Sequence, residues 1–436
     1  MKVLQSILIL LVVMTIHDES EAFQNSANYD EAKIPAYQLP KLLEFNDGSE
    51  VKTKSDWPAR RSEILGLFKE HVYGTMPPRP KQSASPDFDV VKESTFNAPV
   101  DPDDKASETV EVRLKEVKLF LGPDKSGPVA HLALFMPAAD AKGETSHPTF
   151  LAYNFQGNHT VHPTTEITIS ETWNREREKI TPAEKTRGAA SRRWPIGMIV
   201  EQGYALATVY YGDVDPDFDD GFKNGVHPLF PELQNRPDNW TSIGGWAWAT
   251  HRVMDYFEVE SDVDQNRVAL LGHSRLGKTA LWAGATDERF ALIISNNSGC
   301  GGAALARRAI GETVARINKV FPHWFCAKHN EYNNNENGMP VDQHMLIALM
   351  APRPVYIASA KEDRWADPRG EFLSAFHAQP AWELLGEKAM GVSNPDMPAI
   401  ENSIGHRVGY HIRNGKHNVT TYDWTMFLNF FRTNID

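Results

Sequence analysis

Cysteine is almost absent. The chain has 436 residues and only two cysteines, Cys300 and Cys326. Neither has metal-ligand partners at suitable spacing, so a zinc site is not expected. A disulfide framework is excluded too; one bridge is the most an oxidising compartment would permit, and a core this large needs none. Basic charge is also short: 57 acidic residues face 45 Lys and Arg, for a formal net charge of −12. An acidic chain is a poor partner for nucleic acid or anionic membrane. After the first residues no long apolar run follows, which leaves nothing suited to a membrane span. There is no internal repeat, and no low-complexity linker between residues 108 and 436.

What is present begins with "VLQSILILLVVMTI", preceded by Met1 and Lys2 and followed by the polar "HDESEA". Ser20 and Ala22 fit a small-x-small cleavage site. Residues 1–22 therefore read as a secretory signal peptide, and the protein is expected to be secreted or periplasmic. Hydrophobic residues make up 41% of the chain, enough for a large core, and 23–436 is expected to form one domain. Within it, 23–107 is an arm, a helix and loops packed on the rest. "SDWPARRSEILGLFKEHVYG" opens with helix-start residues, and Ile64, Phe68 and Val72 recur on one face. Residues 78–107, rich in Pro, Asp, Lys and Ser, read as mostly loop.

From 108 onward strands dominate, then alternate with helices. "TVEVRLKEVKLFLG" and "PVAHLALFMPA" read as an antiparallel pair. "PTFLAYNF", "GYALATVYYGD", "NRVALLGHS", "FALIISNNSG", "RPVYIASAKED" and "YHIRNGKHNVT" read as strands, and "PIGMIVEQ", "GGWAWATHRVMDYFEVE", "RLGKTALWAGA" and "TYDWTMFLNFFRT" as helices. This alternation predicts a mainly parallel sheet with helices on both faces, a three-layer α/β sandwich.

"VALLGHSRLGKTALW" places Gly272 and Ser274 between a strand and a helix. That is the context of a nucleophile elbow, where a strained turn lifts a serine hydroxyl above the sheet. The usual pattern is Gly-x-Ser-x-Gly, but Leu276 stands where the second glycine is expected and Gly277 comes one residue late. A serine nucleophile needs a base and an acid, in the chain order Ser, acid, His. "KEDRWADP" offers Glu362, Asp363 and Asp367; "NGKHNVT" offers His417 after the last strand, while His406 and His411 lie in or before it. Ser274, Asp363 and His417 are the expected set. Pro368 after Asp367 suggests a turn role for that residue. No metal or cofactor is required by this chemistry.

With these residues in place, the sequence resembles the glucuronoyl esterases, carbohydrate esterases of the α/β-hydrolase fold. The resemblance rests on "GNHT" at Gly157, "SRLGK" at Ser274, "SGCGGAALARRAIGE" ending at Glu312, "DQH" at Asp342, "APRP" at Ala351 and "DRWADPRGEF" at Asp363. It implies Ser274 as nucleophile and His417 as base, with Arg275 in the oxyanion hole through its N–H and guanidinium. It further implies that Lys278, Glu312 and Trp365 contact a glucuronoyl ring. A cation beside the nucleophile suits a developing negative charge. Lys278 lies one helical turn beyond Ser274. Many members carry a glutamate just before "SG"; here Asn297 stands there, and the acid role falls to Asp363.

The substrate implied is an ester of (4-O-methyl-)glucuronic acid on glucuronoxylan, a lignin–carbohydrate linkage, cleaved by a monomer. The alternatives are an acetyl xylan esterase of the same fold, or a non-catalytic carbohydrate-binding relative. Five aspartates between Asp213 and Asp220 lack the glycine and terminal glutamate of a calcium loop and read as strand-end caps. His323, His329 and His344 suit packing roles, Gln343 and His344 could support the site, and residues 161–194 read as a wall of its mouth.

Overall fold

The computed structural model describes residues 27–78, 86–104, 106–138 and 146–436; the signal segment read at 1–22 lies outside them. In chain order the strands are β1 (Phe88–Pro99), β2 (Thr109–Phe120), β3 (Val129–Pro137), β4 (His147–Asn154), β5 (Thr172–Trp173), β6 (Lys179–Ile180), β7 (Ala205–Tyr210), β8 (Val263–His273), β9 (Leu292–Asn296), β10 (Val355–Ala360), β11 (Ile404–Gly405) and β12 (Val408–Arg413). The helices are α1 (Trp57–Phe68), α2 (Ile196–Glu201), α3 (Ser242–Phe257), α4 (Arg275–Thr286), α5 (Val314–Val320), α6 (Gln343–Ala348), α7 (Pro368–Leu385) and α8 (Thr421–Asn434).

The main sheet runs β1-β2-β3-β7-β4-β8-β9-β10-β12-β11. β1, β2 and β3 pair antiparallel, and β3 pairs antiparallel with β7. From β7 through β4, β8, β9 and β10 to β12 every pairing is parallel. All six of these strands therefore deliver their carboxyl ends to the same edge of the sheet, where α/β folds place their chemistry.

The strands show why the sheet is buried on both sides. Ala269 and Leu271 of β8 pack into one hydrophobic cluster with Phe150, Leu206, Ile294, Tyr356 and α8. Leu270, between them, packs into the other with Leu151, Ala207, Ile293 and Ile357, together with α3, α4 and α7. Successive side chains point to opposite faces, so two apolar layers need two covering layers of helix. The three-layer α/β-hydrolase sandwich follows from that alternation.

Two elements differ from the sequence reading. Residues 88–99, expected as loop, form the outermost strand β1. Only Ala98 of that strand is buried. An edge strand wetted on both faces carries no apolar alternation to read. The 18-residue α7, a helix for which the sequence pattern offers no assignment, contains Pro380 and packs on α6 and β10. The expected elbow strand and helix, the antiparallel lead-in pair and the closing helix are all present. The arm reaches over the site's rim: the Asn28 carbonyl accepts from Gly311, Glu31 pairs with Arg308, and the Pro40 carbonyl lies 3.0 Å from His344 Nε2.

Candidate active site

The elbow is built by close approach. Ser274 has φ 60° and ψ −130°, a conformation that a non-glycine residue holds only when its surroundings enforce it. A Cβ on Gly272 would sit 1.9 Å from the Leu276 carbonyl oxygen, so only glycine lets α4 begin this near β8. A Cβ on Gly277 would meet Ser298 Cβ at 2.9 Å and Ser295 Oγ at 3.0 Å. The late glycine is thus the point where α4 crosses the end of β9. Leu276, where the usual pattern has glycine, is buried in the core instead. Arg275 is the first residue of α4, and the leading N–H groups of a helix have no partner within it.

The candidate base, His417, lies in the turn after β12. His417 Nδ1 lies 2.6 Å from Asp363 Oδ2, and the His417 side chain is 40% exposed while Asp363 is buried. The His417 ring also lies 4.5 Å from that of His273, the residue before Ser274. That contact sets the imidazole against the elbow. Asn297, at the end of β9, donates from Nδ2 to the same Asp363 oxygen at 2.7 Å. An amide from the end of β9 thus supports the Asp363 carboxylate from the neighbouring strand.

The rival residues are engaged elsewhere. Asp367 is buried against Arg308, with Arg308 Nε 2.7 Å from Oδ2. Glu362 and His406 are exposed. His411 is buried, its Nε2 2.9 Å from Asp423 Oδ1 and its Nδ1 2.9 Å from the Tyr356 hydroxyl. That second pair holds the loop of the first. Arg413 donates from Nε to Asp423 and from its Nη groups to the carbonyls of Asn414, Lys416 and Asn418, which surround His417.

Arg275 is fixed by a residue that the sequence reading assigned only to capping. Asp217, in the loop after β7, takes the Arg275 guanidinium together with Trp324 Nε1 at 2.7 Å, His323 Nε2 at 3.1 Å and the Tyr211 hydroxyl at 3.2 Å. Burial alone would raise the Asp217 carboxyl, but Arg275, His323 and Trp324 outweigh it and hold the group well below the usual carboxylate range. The guanidinium carbon sits 5.0 Å from the Trp324 ring centroid, with Phe321 at 5.6 Å and Phe155 at 5.8 Å. A cation boxed by aromatic faces and one carboxylate is held in one place. The aspartate cluster behind it has local tasks throughout. Asp213 accepts from the His131 amide, Asp215 pairs with His227, Asp219 accepts from Gly221 and Asp220 from Asn224. Among the described residues no group of three His, Cys, Asp or Glu side chains forms a metal site.

Lys278 lies buried below the elbow. Its ammonium donates to the Ser298 carbonyl at 2.7 Å, the Cys300 carbonyl at 2.6 Å and Glu312 Oε2 at 2.9 Å, which employs all three N–H groups. Glu312 is tied in turn to the Trp365 carbonyl through its amide at 3.0 Å. Trp365 is half-buried, with the Arg316 guanidinium carbon 5.9 Å from its ring. The Ser298–Cys300 loop that receives Lys278 is held from behind by Glu371. This fully buried carboxyl accepts from the Ser298 and Gly299 amides and the Ser359 hydroxyl. Burial dominates there and pushes it up to about 8. Gln343 donates to the Gly302 carbonyl of the same loop. Cys300 and Cys326 are separate buried thiols.

A serine on a strained strand–helix turn, with an imidazole and its carboxylate delivered by later strands of a parallel sheet, marks a carboxylic ester hydrolase of the α/β-hydrolase fold. Comparison narrows the class. A family model described as "Glucuronyl esterase, fungi" matches residues 167–386. Carbohydrate esterase MZ0003, from an unknown prokaryotic organism, is 44% identical over 92% of this chain and 91% of its own length. The solved glucuronoyl esterase from Solibacter usitatus superposes with a TM-score of 0.84 at 42% identity, covering 93% of this chain and all of that one. The 4-O-methyl-glucuronoyl methylesterase of Podospora anserina is 26% identical over 80% of this chain and 61% of its own length. The chain belongs to the glucuronoyl esterase family and is of the bacterial type.

Proposed function

We propose that the protein hydrolyses esters of (4-O-methyl-)glucuronic acid on xylan, including those that join xylan to lignin, through a Ser274–His417–Asp363 triad. The observation that carries this reading is the 2.6 Å contact of Asp363 with His417 Nδ1 beside the elbow. It leaves Nε2 as the nitrogen through which the imidazole can act. Ser274 Oγ attacks the ester carbonyl while His417 takes its proton. The oxyanion forms at the start of α4, near the Arg275 N–H and its boxed guanidinium, in a setting already organised for negative charge. Collapse of the intermediate expels the alcohol, which His417 protonates. Water, activated by the same imidazole, then releases the uronate anion. No step calls for a metal.

Glu312 and Trp365 form the sugar side in this reading. The indole offers a flat face for the ring and the carboxylate an acceptor for a hydroxyl. Lys278 acts there by its charge and by clamping Glu312. The similarity to the glucuronoyl esterase of Solibacter usitatus and to the 4-O-methyl-glucuronoyl methylesterase of Podospora anserina, with the matching glucuronyl esterase family model, supports the uronate. Action on a plant cell-wall polymer requires export, in keeping with the signal segment read at residues 1–22. No helix among the described residues is long and apolar enough to cross a membrane.

Hydrolysis of benzyl glucuronate and of acetylated xylan, measured side by side, tests the assignment. Turnover of the uronate ester with little acetate release is the expected result. The reverse preference would make the protein an acetyl-sugar esterase, and activity on neither would make it a binding relative.

A further inference from the structure

We infer that residues 28–31 of the amino-terminal arm are a positioning strap for the sugar side of the site, and that Tyr29 and Glu31 are the side chains through which the strap acts. This rests on the reading of Glu312 and Trp365 as the sugar side, given above.

The two proposed sugar contacts come from separate irregular segments. Glu312 lies just after the 306–308 turn, and Trp365 lies within the 364–366 turn that follows β10. Their backbones touch. The Glu312 amide donates to the Trp365 carbonyl at 3.0 Å, and a Cβ on Gly311 would sit 2.3 Å from that same oxygen. Ala309 and Asp367, which close the two turns, have φ of 49° and 51°. Non-glycine residues stay in that region only when their surroundings hold them there. Neither Glu312 nor Trp365 belongs to a strand or a long helix, so the restraint comes from elsewhere in the chain.

The arm supplies it on both segments at once. On the first, the Gly311 amide donates to the Asn28 carbonyl at 2.9 Å, and Arg308 Nη2 lies 2.5 Å from Glu31 Oε1. On the second, the Arg364 guanidinium donates to the Tyr29 carbonyl, with its carbon 4.9 Å from the Tyr29 ring centroid, and Arg369 Nε stands 3.8 Å from Glu31 Oε2. Lys278 already holds the carboxylate end of Glu312; the strap holds its backbone. Tyr29 also faces the charges of the rim. Burial raises its hydroxyl, Arg316 and Arg364 oppose that, and Asp363 adds to it. Further along, the arm is tied down separately. Asn337 Nδ2 donates to the Ala36 carbonyl at 3.2 Å, and His344 Nε2 lies 3.0 Å from the Pro40 carbonyl. Loss of the contacts at 28–31 therefore releases the strap and leaves the rest of the arm in place. None of these contacts involves Ser274, Asp363 or His417. The strap acts on how firmly the sugar side is held for binding, not on acyl transfer, because a preorganised contact surface loses less freedom when it binds.

The test compares the unaltered enzyme with the double variant Tyr29→Ala/Glu31→Ala. Tyr29 is half-buried and Glu31 exposed, so the core is not touched. Two quantities are measured: kcat and KM for benzyl glucuronate, and the rate of inactivation by a small serine-reactive phosphonate that carries no sugar. KM should rise about tenfold, the size expected when a cation–aromatic contact and a partly exposed ion pair are lost together. kcat and the inactivation rate should stay within about twofold, as for loss of an interaction made equally in ground and transition states. Tyr29→Phe keeps the ring over Arg364 and should keep KM within about twofold, while Glu31→Gln alone should raise it roughly threefold. An unchanged KM in the double variant overturns the proposal. So does an equal loss in the inactivation rate, which would make the arm a support of the triad or the fold, and so does a rise in Tyr29→Phe as large as in the double variant. If the unaltered enzyme reacts with the phosphonate but does not hydrolyse benzyl glucuronate, the sugar-side reading itself falls. Hydrolysis with KM unmoved by the double variant removes only the strap.

Discussion

Two histidine–aspartate pairs lie within a few residues of each other and do different work. His411 and Asp423 stand 2.9 Å apart with neither side chain exposed, whereas His417 and Asp363 stand 2.6 Å apart with the imidazole open to solvent. Both nitrogens of His411 are occupied, one by Asp423 and the other by the Tyr356 hydroxyl. His417 has its carboxylate on Nδ1 only, and its ring faces the elbow through His273. Pairing with a carboxylate does not make a histidine a base. A second nitrogen left open beside the elbow is what the role proposed for His417 calls for. The closed pair serves the open one, because Arg413, anchored on Asp423, gathers the carbonyls on either side of His417.

This contrast gives the largest expected effect. His417→Ala should lower kcat by about 10⁶, as loss of a triad base does in a comparable enzyme, while leaving the thermal midpoint nearly unchanged. His411→Ala should do the reverse. It opens a buried pair and should lower stability by about 3 kcal/mol, with residual activity per folded molecule. Activity and melting curves of the two variants, measured together, would break the comparison if both lost activity without losing stability.

The acids sharpen the same contrast. Asp363→Asn should lower kcat by about 10⁴, the loss seen when a triad carboxylate becomes an amide, with the fold intact. Asp367→Asn should instead loosen the buried contact with Arg308 and appear in the melting curve. Near-normal turnover in Asp363→Asn, with collapse in Asp367→Asn, would reverse the assignment. A smaller kinetic effect is expected at Asp217. Asp217→Asn removes the charge that fixes Arg275, and kcat should fall by about 10²-fold, the lower range for loss of one oxyanion contact. A change in KM alone would place Arg275 outside the transition state.

The smallest effect concerns pH. The buried Glu371 carboxyl is raised to about 8, above its unfolded value. A group of this kind stabilises the fold fully below the unfolded pKa, and that contribution is lost as pH rises through the folded one. Thermal midpoints of the natural protein should therefore decline between pH 5 and pH 9. In Glu371→Gln, which imitates the neutral acid toward Ser359, the decline should be shallower. Parallel curves would remove Glu371 as the cause.

Much of this was legible in the residues. Strand and helix periods fixed the order of elements around Ser274, and the order Ser, acid, His placed Asp363 and His417 before any contact was known. Other features left no local trace. β1 is an edge strand whose exposed faces look like loop composition. Asp217 lies 58 residues from Arg275, and only its place after the end of a parallel strand hinted at more than a cap. Lys278 reads in sequence as a sugar contact one helical turn beyond Ser274, yet three acceptors from distant segments enclose its ammonium. Partners brought together by tertiary packing are the part that spacing does not encode.

The central claim is that Ser274, made nucleophilic by His417, carries the acyl group. The most direct test is labelling with a serine-reactive phosphonate, followed by peptide mass spectrometry on the natural protein and on His417→Ala. One adduct on Ser274, formed in step with loss of esterase activity and strongly slowed in His417→Ala, is the result predicted. Full esterase activity after complete modification of Ser274, or inactivation by an adduct on a different residue, would contradict it.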